Sequence, residues 1–288
     1  MSKPGGRNDS ILAFVLSPKY LVFGDRTLAQ KAALGSSASA DNTHDRFFKS
    51  VIGFMAIDPL RTRNLTGECA NEDGSLEAIG DFTYQFQSGS FYHLSGSELG
   101  GKRLLLQILG LLCPPDSGEI VVDGRLVTHL EIDDLGEIRN RKYGFLFSSP
   151  FLLPAFTVLE NVALPLFKIA QVGASEAKVI TEEILEIVGV SRIATAPVEQ
   201  LDGLDEMLAA LARALVHHPR ILIAECVGNN LREGEAELLL STLRASSQRL
   251  GLAVIATLAP HISWGEADVR LEIGPQGTEE FIKRDPYG

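Results

Sequence analysis

No stretch of this chain approaches the ~20 apolar residues that a membrane-spanning helix needs. The longest early apolar run, Ile11 to Leu16, is too short for the core of a secretion signal and is followed by no convincing cleavage site. Basic residues are scarce: 26 Lys and Arg stand against 37 Asp and Glu, a formal net charge of −11. That balance argues against bulk binding to nucleic acid or anionic lipid, since both need clustered positive charge. Cysteine is limited to Cys69, Cys113 and Cys226, scattered, odd in number and without a CxxC pair. This excludes a disulfide framework and points to a reducing compartment. The 6 histidines show no metal-ligand spacing, and the one adjacent pair, His217-His218, precedes Pro219 and reads as loop. No metal centre, no nucleic-acid partner and no direct membrane insertion are expected. The chain is expected to be cytoplasmic, or peripheral at the inner face of the membrane through a partner.

What the chain does have is a core. Its 288 residues are 45% hydrophobic, enough for one large domain, or one domain plus an extension. Composition changes near Pro59, so residues 1–58 read as an N-terminal extension of unknown role and 59–288 as the main domain. Within the extension, Gly35 to His44 reads as a flexible linker. After it, Phe47, Phe48, Val51, Ile52 and Met55 share a helical face. A strand at Val51 to Ile57 is the alternative.

From Asp81 onward the pattern is α/β. "DFTYQF" alternates like a half-buried strand, and "SFYHLS" is a second strand leading into a glycine loop. Lys102 to Leu112 suits a helix, stopped by "PPDSGE", and "GEIVVDGRLV" reads as a hairpin arm. "KYGFLFSS", "RILIAE" and "LAVIAT" are buried strands, near-continuously apolar as a parallel sheet covered on both faces requires. Ser175 to Val188 and Leu204 to Val216 carry apolar residues at helical spacing, and the chain ends in a hairpin about Gly274 to Gly277.

Strand, glycine loop, helix is the layout of a phosphate-binding loop. Its frame is present: Gly96, then Gly100, Gly101 and Lys102. In that frame the next residue is a Ser or Thr whose hydroxyl holds magnesium; here it is Arg103. The surroundings agree over a long stretch: "SGEIVVDG", "YGFLFSSPFLLPAFTVLENVALPL", "LARALVHHPRILIAE" and "NNL" follow in order. With these, residues from about Pro59 to the C-terminus resemble the nucleotide-binding domain of ABC transporters, in the branch serving lipoprotein release, macrolide export and cell division. The resemblance implies an α/β P-loop NTPase core sheet with an antiparallel β subdomain and a helical subdomain. It also implies ATP with Mg2+ as cofactor, pairing with a homologous ATPase subunit or as a dimer, and docking to a transmembrane transporter-type subunit.

The departures from the family pattern are concentrated on the chemistry. Glu98 and Leu99 stand in the loop where the family has a small polar residue and a glycine. Two like charges ~4 Å apart repel by ~4 kcal/mol at an effective dielectric of ~20, so Glu98 opposes phosphate unless it turns to solvent. Arg103 cannot coordinate a metal. The second motif should end in Asp for magnesium and Glu for the attacking water; it reads Glu225-Cys226. Glu225 can still reach a metal through water, whereas Cys226 reads as a buried structural cysteine rather than a base. Ser148 aligns with the family glutamine, Leu258 with the switch histidine, and Cys69 with the residue that stacks on adenine. His261 lies three residues beyond Leu258.

The signature loop Leu-Ser-Gly-Gly-Gln becomes Leu201-Asp202-Gly203-Leu204-Asp205, followed by Glu206. Carboxylates at a helix N-terminus stabilise the helix by about 0.3–1 kcal/mol each, and Asp202 is expected to cap it. Such an end would repel the phosphate that the family binds there. In contrast, Phe151, Leu152, Leu153 and Phe156 lie in a family-like segment and read as a partner-docking strip, with internal packing as the alternative. The reading is an ABC-type subunit that has lost hydrolysis, keeps at most weak ATP contact, and serves a membrane complex as structural or regulatory partner. An unusual working ATPase and a non-transport binding scaffold are the alternatives.

Overall fold

The computed structural model describes residues 57–70, 76–97, 101–263, 265–274 and 277–282. The element expected at Phe47–Met55, and Glu98, Leu99 and Gly100, lie outside the described residues.

Two sheets organise the unit that begins at Ile57. Strands β1 (Leu60–Ala70), β2 (Leu76–Phe86), β4 (Ser117–Val122) and β5 (Arg125–Leu126) form an antiparallel sheet in the order β2-β1-β4-β5. Strands β3 (Phe91–Ser95), β6 (Tyr143–Leu146), β7 (Ile221–Val227), β8 (Ala253–Leu258), β9 (Val269–Gly274) and β10 (Gly277–Ile282) form the second, ordered β10-β9-β3-β8-β7-β6. Its β9-β3-β8-β7-β6 core is parallel, and β10 closes it antiparallel to β9. Every residue of β8 is buried, which is why that strand is apolar throughout rather than alternating.

Helix α1 (Lys102–Leu109) follows β3 across the glycine loop, and its Leu104, Leu105, Leu106, Ile108 and Leu109 are all buried. They pack with Leu60, Phe82 and Phe86 of the antiparallel sheet and with Ile223 and Ile255 of the parallel one. The expected continuation to Leu112 does not form: Gly110 caps α1 and Leu111 turns left-handed at φ 57°. Helix α2 (Ile132–Lys142) buries no side chain. Helices α3 (Val158–Pro165), α4 (Ala174–Val188), α5 (Gly203–Leu215) and α6 (Glu233–Leu250) share the core on the other face of the parallel sheet. No helix among the described residues is long and apolar enough to cross a membrane.

Candidate nucleotide-binding site

The two described loop glycines are required by their surroundings. Gly96 has φ 130°, and a Cβ there would lie 2.2 Å from the Ile273 carbonyl oxygen. Gly101 has φ 76°, and its Cβ would meet the Ala78 carbonyl oxygen at 2.4 Å. Both are conformations and approaches that only glycine accepts. Gly96 therefore sits against the end of β9 and Gly101 against the start of β2. Its lysine folds back over it, Lys102 Nζ donating to the Gly96 carbonyl at 3.0 Å.

Arg103, next in line, turns to the antiparallel sheet. Its Nη2 and Nε both donate to Glu77 Oε1, at 2.9 and 3.2 Å. The Glu77 side chain is 5% exposed and that of Arg103 is 49% exposed. Glu77 Oε2 is buried with no hydrogen-bond partner. The Glu77 hydrogen bond is the main cause that raises the guanidinium above its ordinary value; the charges of Glu77 and Glu225 add to it. Glu225, half-buried on β7, is thus within electrostatic reach of Arg103. The two positions that the resemblance assigns to the metal hold an arginine and a glutamate that interact electrostatically. Among the described residues no group of three or more His, Cys, Asp or Glu is placed to hold a metal ion. A guanidinium has no lone pair to give and repels a cation, so Arg103 does not replace the hydroxyl that the resemblance assigns to magnesium.

The rest of the expected set is spread around this point. Cys226 was expected to be buried; it is half-buried, and the backbone leaves extended geometry there. Its φ is 49°, and its N–H donates to Thr257 Oγ1 of β8 at 2.9 Å. Leu258 is buried at the end of β8, packed with the helical core. Ser148 sits half-buried in the bend after β6, and His261 is exposed in a turn. Cys69 is exposed on β1, in register with Glu77.

At the signature position, Asp202 caps α5 by accepting from the Asp205 N–H at 2.8 Å. Gly203 and Leu204 form the helix's first turn. Asp205 and Glu206 lie in that first turn as expected. Asp205 is 6% exposed and bound by Arg192 Nη2 at 2.6 Å, so its charge is paired. Sequence reading missed Glu77 and Arg192, the partners that settle where Arg103 and Asp205 point.

The expected docking strip divides. Phe151, Leu153 and Phe156 are 69%, 43% and 41% exposed. Leu152 instead packs inward against the helical core. Phe151 turns left-handed at φ 47°, and Leu152 lies on the buried side of the loop while its neighbours stay exposed. Two buried anchors shape the loop. Arg213 donates to the carbonyls of Pro150 and Phe151. Asn161, fully buried, accepts from Leu153 N–H at 2.7 Å and donates to the carbonyls of Leu153 and Thr157 at 3.1 and 3.0 Å. Asn161→Ala strands those backbone groups, each worth about 1 kcal/mol or more when buried and unmet. We expect a loss of about 2–3 kcal/mol in urea unfolding and faster amide exchange confined to residues 150–157. Unchanged exchange there would show that Asn161 does not hold the loop.

The comparisons agree with this geometry. The model of the ABC transporter family matches residues 79–225. The chain is 37% identical over 152 residues to the lipoprotein-releasing system ATP-binding protein LolD of Bacteroides thetaiotaomicron, covering 53% of this chain and 69% of that one. It is 35% identical over 183 residues to an uncharacterised ABC transporter ATP-binding protein of Thermotoga maritima, covering 63% and 77%. It superposes with a TM-score of 0.66 on the ATP-binding cassette MJ0796, a dimer in a post-hydrolysis state bound to ADP and Pi. There the identity is 25%, over 78% of this chain and 99% of that one.

Proposed function

The chain belongs to the ABC transporter family and carries its ATP-binding domain, and on that premise we propose that it is a subunit that no longer hydrolyses ATP. It acts as a structural or regulatory partner in a transporter-type membrane complex. The observation that carries this is at the ends of β7 and β8. Hydrolysis needs a group that polarises the attacking water and a group that contacts the γ-phosphate. The two positions hold Cys226, whose backbone is turned left-handed, and Leu258, which is buried. A protonated thiol is a poor proton acceptor, and a buried leucine is none. ATP contact is correspondingly limited to the glycine loop and its basic residues, and magnesium loses the hydroxyl whose place Arg103 takes.

Two further features support the partner role. The exposed Phe151, Leu153 and Phe156 present apolar surface on a loop pinned from within, which suits docking to a transmembrane subunit at the cytoplasmic face of a membrane. The helix end at Asp202 is capped by its own carboxylate, which disfavours a phosphate shared with a homologous ATPase subunit. Residues 1–58 form a separate extension on this reading.

The test is ATP turnover by the purified chain with magnesium, beside Lys102→Ala. Turnover indistinguishable from that control is expected. A robust rate abolished by Lys102→Ala would overturn the proposal in favour of a working enzyme.

A further inference from the structure

The outer face of the antiparallel sheet carries charges that the fold leaves unused. Arg61 and Arg63 are alternate residues of β1, so their side chains leave the same face, about 7 Å apart along the strand. Leu60, Phe82 and Ile120 point the other way, into the core with α1. Both arginines are exposed, and among the described residues neither has an ion pair or a side-chain hydrogen bond. Other arginines of this acidic chain are engaged: Arg141, Arg192, Arg220 and Arg244 each meet a carboxylate.

The two border a hollow of about 620 Å³, within the roughly 300–1,000 Å³ of small-molecule sites. Its own carboxylates do not act as their counter-ions. Glu280 of β10 accepts from the Tyr84 hydroxyl. Glu119 stands across from Arg63 in the register of β1 with β4, yet makes no ion pair with it. Thr83 Oγ1 accepts from the Asn64 N–H at 2.8 Å, which leaves the hydroxyl proton to donate. Two guanidinium forks and a hydroxyl thus line one hollow without an acceptor among the described residues. Each fork matches the paired oxygens of a carboxylate or phosphate.

We propose that this hollow binds a small anion carrying two or more carboxylate or phosphate groups, with Arg61 and Arg63 as its counter-ions. Glu119 and Glu280 restrict the ligand's size. Both stand in the lining, so an extended polyanion such as an acidic peptide runs against them, whereas a compact one fits between. The hollow lies on the face of the sheet turned away from α1. It is therefore independent of the nucleotide reading of the glycine loop and of whether hydrolysis is lost.

The experiment is calorimetry on the full chain in EDTA, titrating citrate and, separately, inorganic pyrophosphate. Salt at about 0.15 M suppresses non-specific attraction. The variants are Arg61→Gln, Arg63→Gln, the two combined, Glu119→Gln and Lys102→Ala. Arg61, Arg63 and Glu119 are exposed, so their variants are expected to fold. At least one probe is expected to bind with a Kd below about 1 mM, and each arginine substitution to weaken it at least about tenfold. The combined variant abolishes binding, and Glu119→Gln, which removes a repelling charge from the lining, tightens it. Lys102→Ala leaves it unchanged, which separates this site from phosphate held at the glycine loop. Citrate alone assigns the hollow to carboxylates, and pyrophosphate alone to phosphates. The proposal is overturned if neither probe binds in that range, if the combined variant keeps the affinity, or if Lys102→Ala abolishes it. It is also overturned if only a glutamate-rich peptide binds through the two arginines, since the face is then a protein-docking surface.

Discussion

Replacing Arg103 with Ser, which returns the hydroxyl that the family uses for magnesium, is expected to weaken the fold by about 3 kcal/mol and to restore no activity. The reason is Glu77. Its side chain is 5% exposed, and among the described residues its carboxylate accepts from Arg103 alone. Removing one partner of a buried ion pair costs about 3–5 kcal/mol, mostly as the penalty on the charge left behind. Because Arg103 is itself half exposed, water enters the vacated space and moderates the loss toward the lower figure. The prediction is sharpest as a double-mutant cycle in urea. Arg103→Ser alone shifts the midpoint down strongly, Glu77→Leu alone shifts it less, and the double variant recovers most of the loss by replacing the pair with apolar packing. If Arg103→Ser is as stable as the natural chain, the pair is a surface contact and Glu77 is solvated in a way the structure does not indicate. On the proposed loss of hydrolysis, no activity is expected in either case, since Cys226 and Leu258 are untouched.

That coupling bears on how much of the molecule could be read from its sequence. The frame was legible wherever burial leaves a periodic mark. Strands β7 and β8 are continuous apolar runs because both faces are covered, and α4 repeats Ala177, Ile180, Ile184, Leu185 and Val188 because one face is. The glycine loop was legible because Gly96 and Gly101 answer to backbone contacts that no other residue tolerates. Helix α2 left no such mark because it buries no side chain fully, only Leu135 and Ile138 packing in part against the core. At the site, the missing partner groups were identifiable by position, yet the direction of the long charged side chains was not. Arg103 is bound to Glu77, twenty-six positions away, and Asp205 to Arg192, thirteen away, and no spacing rule connects either pair. One signal was available for Glu77. At the start of β2 the alternation is inverted, with Leu76 61% exposed and Glu77 4% exposed. A charged residue on the inward face of a half-buried strand asks for a cation, and Arg103 is the cation.

Acid is expected to unfold this protein above the pH at which its paired carboxylates begin to matter, and histidine is the cause. His93 on β3 and His218 after α5 are held at about 4, well below the ordinary 6.5. Burial is the main cause for both; the charges of Arg270 and Lys102 add to it for His93, and that of His217 for His218. His217 is also lowered by burial, against the hydrogen bond it makes to the Tyr143 carbonyl. These groups are neutral in the fold and charged in the unfolded chain below pH ~6.5. Their contribution is therefore complete above that value and is lost as pH falls toward about 4. At ~1.4 kcal/mol per unit, each of His93 and His218 is worth about 3 kcal/mol across the window. The carboxylates act in the same direction but lower. Glu272, held down chiefly by the Ser95 hydrogen bond, contributes stability that begins to be lost only near its ordinary 4.5 and below. The windows separate the two causes. Urea midpoints should fall steeply between pH 6.5 and 5, before the carboxylates protonate. His218→Asn, which tolerates the left-handed φ of 54° at that position, should remove a large part of that slope, and His93→Leu another. A midpoint that stays level down to pH 5 would mean these imidazoles are reached by water, and the acid limit would then belong to the carboxylates alone.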